Sequence, residues 1–165
     1  MLYISYRGIY DGDNWQYANT PSQLGKALGS GFSCMIDVWK VGDRFYLGSE
    51  QPLTEVTAKY LQGNRWWLNA RNAEMQAWLP TQNPKLYPNY FYFITPTPPP
   101  PSVTASNGKT IVPGTVPINN NSVVFLPEID DMSLLTTVKL KCYGICSTNL
   151  LLIRRMRQEG RLWWQ

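Results

Sequence analysis

The sequence predicts an α/β fold: a small or incomplete (β/α) TIM-like barrel that forms a single domain over residues 1–165. Predicted strands alternate with short predicted helices, and the pattern opens with a β-α-β unit and ends with a strand followed by a helix. A hydrophobic fraction of 44% with 16% charged residues is typical of a folded globular protein. Because a full barrel takes about 200 residues or more, some helices are expected to be missing or reduced to loops.

The first strand and helix have clear local signals. Residues 2–6 alternate and are rich in β-branched and aromatic side chains, which predicts a strand. Thr20 is a suitable N-cap, with Pro21 in the first turn and Gln23 three residues after the cap, so a helix is expected to run to about Leu28.

The stretch CMIDVWKVGDRFYLGSE, residues 34–50, is the part around which the chain is organised. It predicts a buried strand over 34–39, a tight turn at Gly42-Asp43 and a second strand over 44–47. Asp37 is unusual, because a lone carboxylate in an apolar strand is costly to bury. It is expected at a strand end, facing a cleft, a cation or an arginine.

The middle of the chain continues the alternation. A short helix capped by Thr54 is expected through residues 58–61, followed by a strand over 66–70 and a helix over 72–79. Residues 89–94 are expected to form another buried strand by residue type.

Residues 95–109 form a proline-rich segment that includes Pro98, Pro99 and Pro100. Consecutive prolines cannot continue a strand interior, so an extended polyproline conformation is expected. Two interpretations stay open: a rigid arm that docks on a neighbouring protein, or a stiff loop that covers the barrel mouth. Short strands are then expected over 110–112, 122–126 and 138–146, with a final helix over 148–158.

Composition limits the partners. The net charge of +4 is concentrated late in the chain, and no aromatic-basic interleaving accompanies it, so a solvated helix face is favoured over specific nucleic-acid binding. Three cysteines and no histidine make a zinc site improbable and favour reduced, buried thiols. The sequence has no signal peptide pattern and no apolar run long enough to span a membrane, so intracellular synthesis is expected.

Several short motifs, taken together, match a known family. They are Ser5-Tyr6-Arg7-Gly8, Asn19-Thr20-Pro21, Met35-Ile36-Asp37, Leu47-Gly48-Ser49-Glu50, Leu126-Pro127-Glu128 and Gly144-Ile145-Cys146-Ser147. In this order they resemble the glycerophosphodiester phosphodiesterase family, particularly its compact viral and bacterial members, whose pattern includes Ser-His-Arg-Gly, Glu-Ile-Asp and Leu-Gly-His-Asp. The resemblance spans the whole chain and implies a TIM-barrel fold.

The resemblance also implies that the catalytic groups are replaced. Family members use two histidines as general acid and base, and Tyr6 and Ser49 stand at those positions here. Of the carboxylates that hold the family's cation, Asp37 remains, and Glu50 is the other residual candidate. No cofactor is therefore expected, and a divalent cation such as Mg²⁺ or Ca²⁺ only if these two acids still form a site.

Other positions at the family's barrel mouth keep polar or cationic side chains. Arg7, Asn19 and Arg71 are the residues expected to contact a phosphorylated ligand if one binds. For Arg71, a salt bridge with Asp37 or Glu50 is the favoured use.

Three functions follow from these observations. The favoured hypothesis is a catalytically inactive phosphodiesterase-like domain that serves as a structural or interaction subunit of a larger assembly, with a virion expected first and an organellar complex second. Its interface residues would include Pro98, Pro99, Pro100, Trp163 and Trp164. The alternatives are a phosphate or phosphodiester binding module and a residual metal-dependent phosphodiesterase.

Overall fold

The computed structural model describes residues 1–92, 102–113, 117–125 and 141–161. The three helices of this part of the chain are α1 (Pro21–Gly29), α2 (Ala73–Trp78) and α3 (Leu150–Gln158), and short 3-10 turns cover Trp15–Tyr17 and Leu79–Thr81. Its strands are β1 (Leu2–Tyr6), β2 (Ser33–Val41), β3 (Arg44–Leu47), β4 (Thr54–Val56), β5 (Trp66–Ala70), β6 (Tyr90–Phe91), β7 (Val103–Thr104), β8 (Thr110–Pro113), β9 (Ser122–Phe125) and β10 (Gly144–Ser147).

All of these strands belong to one mixed sheet. The strands β6, β5, β2, β1, β10, β9 and β8 lie side by side in that order, and each neighbouring pair is parallel. The short strand β7 is antiparallel to β8. The β3–β4 hairpin continues antiparallel from the second half of β2.

The sheet is curled, so its two edges approach each other. The Ser106 N–H, in the turn after β7, donates to the Tyr90 carbonyl oxygen at 2.8 Å, and the Tyr90 N–H donates to Ser106 Oγ at 2.9 Å. One buried cluster takes a residue from every parallel strand: Ile4, Met35, Trp67, Phe91, Ile111, Val123 and Cys146. These side chains therefore fill the concave face of the sheet.

The helices cover the convex face. Leu24 and Ala27 of α1 and Met75 of α2 pack in a second cluster with the even-numbered residues of β2, including Cys34 and Ile36. Residues Leu150, Ile153 and Met156 of α3 pack with β9 and β10 in a third cluster. Since side chains alternate along a strand, the odd-numbered Met35 and Asp37 are left facing the concave side.

Two local predictions are confirmed in detail. Thr20 caps α1, and its Oγ1 accepts a hydrogen bond from the Gln23 N–H. The hairpin at Gly42 joins β2 to β3 as expected. The Gln23 side chain does not complete a capping box; its Nε2 donates to the Gly8 carbonyl oxygen at 3.1 Å and ties the end of β1 to α1.

The helix predicted after Thr54 is wrong. Residues Thr54–Val56 form β4, which pairs with β3, and residues 58–61 form turns. Thr54 and Val56 are β-branched, and pairing with β3 satisfies their backbone groups, so this contact outweighs the weak local helix signal.

Two predicted strands differ in extent. Of residues 89–94, Tyr90–Phe91 form β6, and residues 93–94 lie outside the described part of the chain. Of the strand predicted over 138–146, residues 138–140 lie outside the described part of the chain, and the described strand is β10, Gly144–Ser147. Strand β7 was not predicted, because two residues carry too little pattern to be recognised. No helix among the described residues combines the length and apolar character needed to cross a bilayer.

Candidate functional site

The mouth of the curled sheet is defined here by Tyr6, Arg7, Asn19, Asp37 and Asn69. Tyr6 ends β1, and Asp37 of β2 lies beside Asn69 of β5 in the parallel register. These residues therefore meet at the carboxyl ends of adjacent parallel strands. This is the end of an α/β sheet where ligands and catalytic groups are usually found.

Asp37 is the centre of this mouth. Its side chain is 2% exposed, and both carboxylate oxygens accept hydrogen bonds. Arg7 Nε donates to Oδ2 at 2.7 Å, and Asn69 Nδ2 donates to Oδ1 at 2.6 Å. Of the cleft, cation or arginine that Asp37 was expected to face, the structure supplies an arginine, Arg7. Asp37 lies in the middle of β2 and not at its end, so that part of the prediction is wrong.

Asn19 holds the backbone of Asp37 instead of a ligand. Its Nδ2 donates to the Asp37 carbonyl oxygen at 2.8 Å, and its Oδ1 accepts from the Asp37 N–H at 3.1 Å. Both ends of the buried side-chain amide are therefore used within the protein. Of the residues expected to contact a phosphorylated ligand, Asn19 is thus part of the scaffold.

The turn that presents Arg7 has an unusual backbone. Arg7 has a φ of 56° and Asn19 a φ of 61°, both in the left-handed region. Asparagine tolerates this conformation, whereas for arginine it costs about 1 kcal/mol or more. Two backbone hydrogen bonds hold the turn: Arg7 N–H to the Met35 carbonyl oxygen at 2.8 Å, and Asn19 N–H to the Arg7 carbonyl oxygen at 2.7 Å.

Burial dominates the electrostatics of the mouth. It raises the pKa of Asp37 above its ordinary value, and the Arg7 guanidinium and the Asn69 amide offset this only in part. Burial also raises the pKa of Tyr6 far above its usual range. Arg7 Cζ lies 4.7 Å from the centre of the Tyr6 ring. A tyrosine hydroxyl with a raised pKa stays protonated near neutral pH.

Arg71 is not the ion-pair partner of Asp37, and this prediction is wrong. Among the described residues, the salt bridge to Asp37 comes from Arg7, and none joins Arg71 to Glu50. The Arg71 guanidinium lies 5.9 Å from the centre of the Trp39 ring. It is still close enough to Asp37 to lower the pKa of that carboxyl. Arg7 occupies the contact because its turn places the side chain directly over Asp37.

Ser49 and Glu50 follow β3, whose last residue, Leu47, pairs with Val38 of β2. Ser49 is half-buried, and Glu50 is exposed. The preceding residue, Gly48, donates its N–H to the Asp37 carbonyl oxygen at 3.4 Å. In the part of the chain that the structure describes, no three acidic, cysteine or histidine side chains lie close enough together to hold a metal ion.

Two features of this region were not predicted. The role of Asn69 as a direct donor to Asp37 requires knowledge of the β2–β5 register, which the sequence does not give. The exposed aromatic side chains of Trp15 and Tyr17, 47% and 52% exposed, flank the mouth, and the Trp15 ring lies 6.4 Å from the Tyr6 ring.

The predicted interface residues Pro98, Pro99, Pro100, Trp163 and Trp164 lie outside the described residues.

Comparisons of this chain with protein-family models, with curated proteins and with solved structures give no match.

Proposed function

We propose that this chain is a non-catalytic domain of the glycerophosphodiester phosphodiesterase type, which acts as a structural or interaction subunit of a larger assembly. The observation that carries the proposal is the state of Asp37. Its two carboxylate oxygens are engaged by Arg7 and Asn69, in the position where the resembling family holds a cation. An arginine side chain there supplies the positive charge that a metal ion would otherwise supply.

The proposed fold is a small (β/α) barrel. The concave-face cluster with members from every parallel strand, and the Tyr90–Ser106 hydrogen bonds between the two sheet edges, support this architecture. A (β/α) barrel of this size has fewer helices than a full one. The β3–β4 hairpin and the turns at 58–61 stand in the connection between β2 and β5, where a helix would be expected.

The chemistry of the mouth is poorly suited to phosphodiester cleavage. Such a reaction needs a base and an acid that titrate near neutral pH, and the chain contains no histidine. The pKa of Tyr6 is raised by burial, away from the useful range. A divalent cation of the Mg²⁺ or Ca²⁺ type requires about six oxygen ligands, and Asp37 offers its carboxylate to Arg7 instead.

An interaction role is supported by the exposed aromatic side chains. Trp15 and Tyr17 present large amphipathic surfaces beside the mouth, and Trp and Tyr are enriched among residues that dominate binding energy at protein interfaces. The proline-rich segment and Trp163-Trp164 remain proposed contacts of the same kind. A virion is the assembly that we propose first, and an organellar complex second.

The test combines activity and assembly. Glycerophosphodiester turnover is measured with added Mg²⁺, Ca²⁺ or Mn²⁺ for the wild type and for Asp37→Asn, and the native protein is sedimented from its source with and without chemical crosslinking. We expect equal background turnover in both proteins and a sedimenting, crosslinked complex. Cation-dependent turnover that Asp37→Asn abolishes would overturn the non-catalytic assignment, and a native protein that is a free monomer would overturn the subunit role.

A second function, phosphodiester binding without cleavage, is favoured by Arg71. Its guanidinium lies over the Trp39 ring near the mouth, and no ion pair among the described residues uses it. Calorimetry with glycerophosphodiesters tests this function. Binding that Arg71→Gln weakens about tenfold and that Arg44→Gln, in an exposed pair, leaves unchanged would support it. Absence of heat and of any thermal shift would remove it.

A further inference from the structure

We propose that a cavity at the amino ends of the strands, opposite the mouth, binds a small organic oxyanion. The cavity has a volume of about 360 Å³ and is lined by Leu2, Gly31, Ser33, Asn64, Arg65, Trp67, Asn89 and Tyr143. All of these residues lie at or just before the start of β1, β2, β5, β6 or β10. Asp37 lies four positions after Ser33 along β2, which corresponds to about 13 Å, so the two places are distinct.

Arg65 gives the cavity its charge and is held in place by the protein. Its Nη2 donates to the carbonyl oxygens of Leu28, at 2.8 Å, and of Phe32. These two contacts fix the guanidinium plane between the end of α1 and the start of β2. They leave the Nε and Nη1 N–H groups without a partner among the described residues. A positioned guanidinium with free N–H groups is the side chain best suited to an oxyanion.

The remaining polar groups are also compatible with an anion. The described lining contains no carboxylate, and the hydroxyl of Ser33 is a further donor. Trp67 is 1% exposed, and its indole Nε1 is buried without a hydrogen-bond partner among the described residues. A buried N–H normally has a partner, and an indole N–H can only donate. The Nε1 atom itself is covered, so a ligand in the cavity would contact the Trp67 ring rather than this N–H.

The aromatic side chains of the cavity indicate which kind of group the oxyanion carries. The Trp67 and Tyr143 rings lie 6.4 Å apart, and the Lys109 ammonium lies 4.4 Å from the centre of the Tyr143 ring, which adds positive charge near the cavity. The volume is in the range of small-ligand sites and exceeds that needed by a bare phosphate. The fitting class is therefore a phosphate or carboxylate that carries a small apolar or aromatic group.

The experiment uses phenyl phosphate and benzoate as probes, with inorganic phosphate for the oxyanion alone and benzyl alcohol for the ring alone. Binding is followed by the indole N–H resonances of the ¹⁵N-labelled chain, in which the Trp67 signal is identified by its absence in Trp67→Phe. Isothermal titration calorimetry gives affinities at constant ionic strength. We expect saturable binding of phenyl phosphate, of benzoate or of both, with a shift of the Trp67 signal, and no binding of benzyl alcohol.

Variants test which residues hold the ligand. Arg65→Gln is expected to weaken binding at least about tenfold, because a charge-assisted hydrogen bond is lost, and Ser33→Ala is expected to weaken it less. Arg44→Gln, an exposed arginine on the β3–β4 hairpin, is the control and is expected to bind as the wild type does. If Trp67→Phe does not fold, the calorimetry of the other variants still decides. No saturable binding of either charged probe, or equal affinity in Arg65→Gln and the wild type, would overturn the proposal.

Discussion

Replacement of Arg7 by methionine tests the ion pair at the mouth. Methionine keeps an unbranched apolar stem and the same left-handed backbone requirement as arginine, so the change chiefly removes the guanidinium. Arg7 is 16% exposed and Asp37 2% exposed, so solvent does little to screen the loss. Removal of one partner of a buried pair typically costs about 3–5 kcal/mol of unfolding free energy.

Protonation of Asp37 sets an upper limit on the electrostatic part of this cost. In the folded variant, the Asp37 carboxyl can take up a proton and become neutral. The free-energy cost of this protonation is about 1.4 kcal/mol for each pH unit above the ordinary pKa of about 3.9, which gives about 4 kcal/mol at pH 7 and about 1.5 kcal/mol at pH 5. The assay is urea unfolding of both proteins at pH 5, 6 and 7. Loss of Arg7 raises the pKa of Asp37 further, so we expect the difference in unfolding free energy at pH 7 to equal or exceed that at pH 5.

The control for this experiment is Arg44→Met. Arg44 pairs with Glu55 at 3.3 Å on an exposed hairpin, and we expect little or no change in stability there. A loss below about 1 kcal/mol for Arg7→Met at pH 7, or a loss that is larger at pH 5 than at pH 7, would contradict this expectation. It would mean that water or another cation takes over the contact with Asp37.

Three further predictions concern the same fold. Burial raises the pKa of Asp37 in the folded state. The unfolding free energy of the wild type relative to Asp37→Asn is therefore expected to be greatest below about pH 3.9 and to decline as pH rises. A relative stability that rises with pH in urea unfolding would show that Arg7 outweighs burial. In Gly48→Ala the new Cβ would lie 1.8 Å from the Gln51 carbonyl oxygen, so the unfolding free energy measured in urea is expected to fall by about 1–3 kcal/mol. Gly25→Ala, in open space on α1, should instead stabilise the fold by about 0.5–1 kcal/mol. Equal effects at the two glycines would contradict this. All three cysteines are free and buried, and burial raises the pKa of Cys34 to about 11, so Ellman's reagent should react with them in denaturant and not in the folded protein; rapid reaction of the native protein would be inconsistent with this burial.

The elements that could be predicted from sequence are those with a local cause. The N-cap at Thr20 and the turn at Gly42 depend on residues within a few positions of each other, and both were found where the sequence placed them. Strands β4 and β7 were missed because their pairing partners, β3 and β8, decide their conformation. A weak helix signal after Thr54 could not reveal that contact.

In the candidate site too, features with a local cause could be predicted and features that depend on distant parts of the chain could not. The cost of burying a carboxylate identified Asp37 as a position that needs a partner, and this needed only the residue types around it. The identity of the partner did not follow, because Arg7 reaches Asp37 through a turn with positive φ, and Asn69 reaches it through the β2–β5 register. The amino-end cavity could not be seen in the sequence at all, since its lining comes from residues that are far apart along the chain.

The most direct test of the central claim is whether a cation can reach Asp37. The claim is that Arg7 and Asn69 occupy this carboxylate. Mn²⁺ is titrated into the ¹⁵N-labelled protein, and paramagnetic broadening of the side-chain amide signals of Asn69 and Asn19 is recorded for the wild type and for Asp37→Asn. We expect no saturable, site-specific broadening of these signals in either protein. Saturable broadening in the wild type that disappears in Asp37→Asn would contradict it.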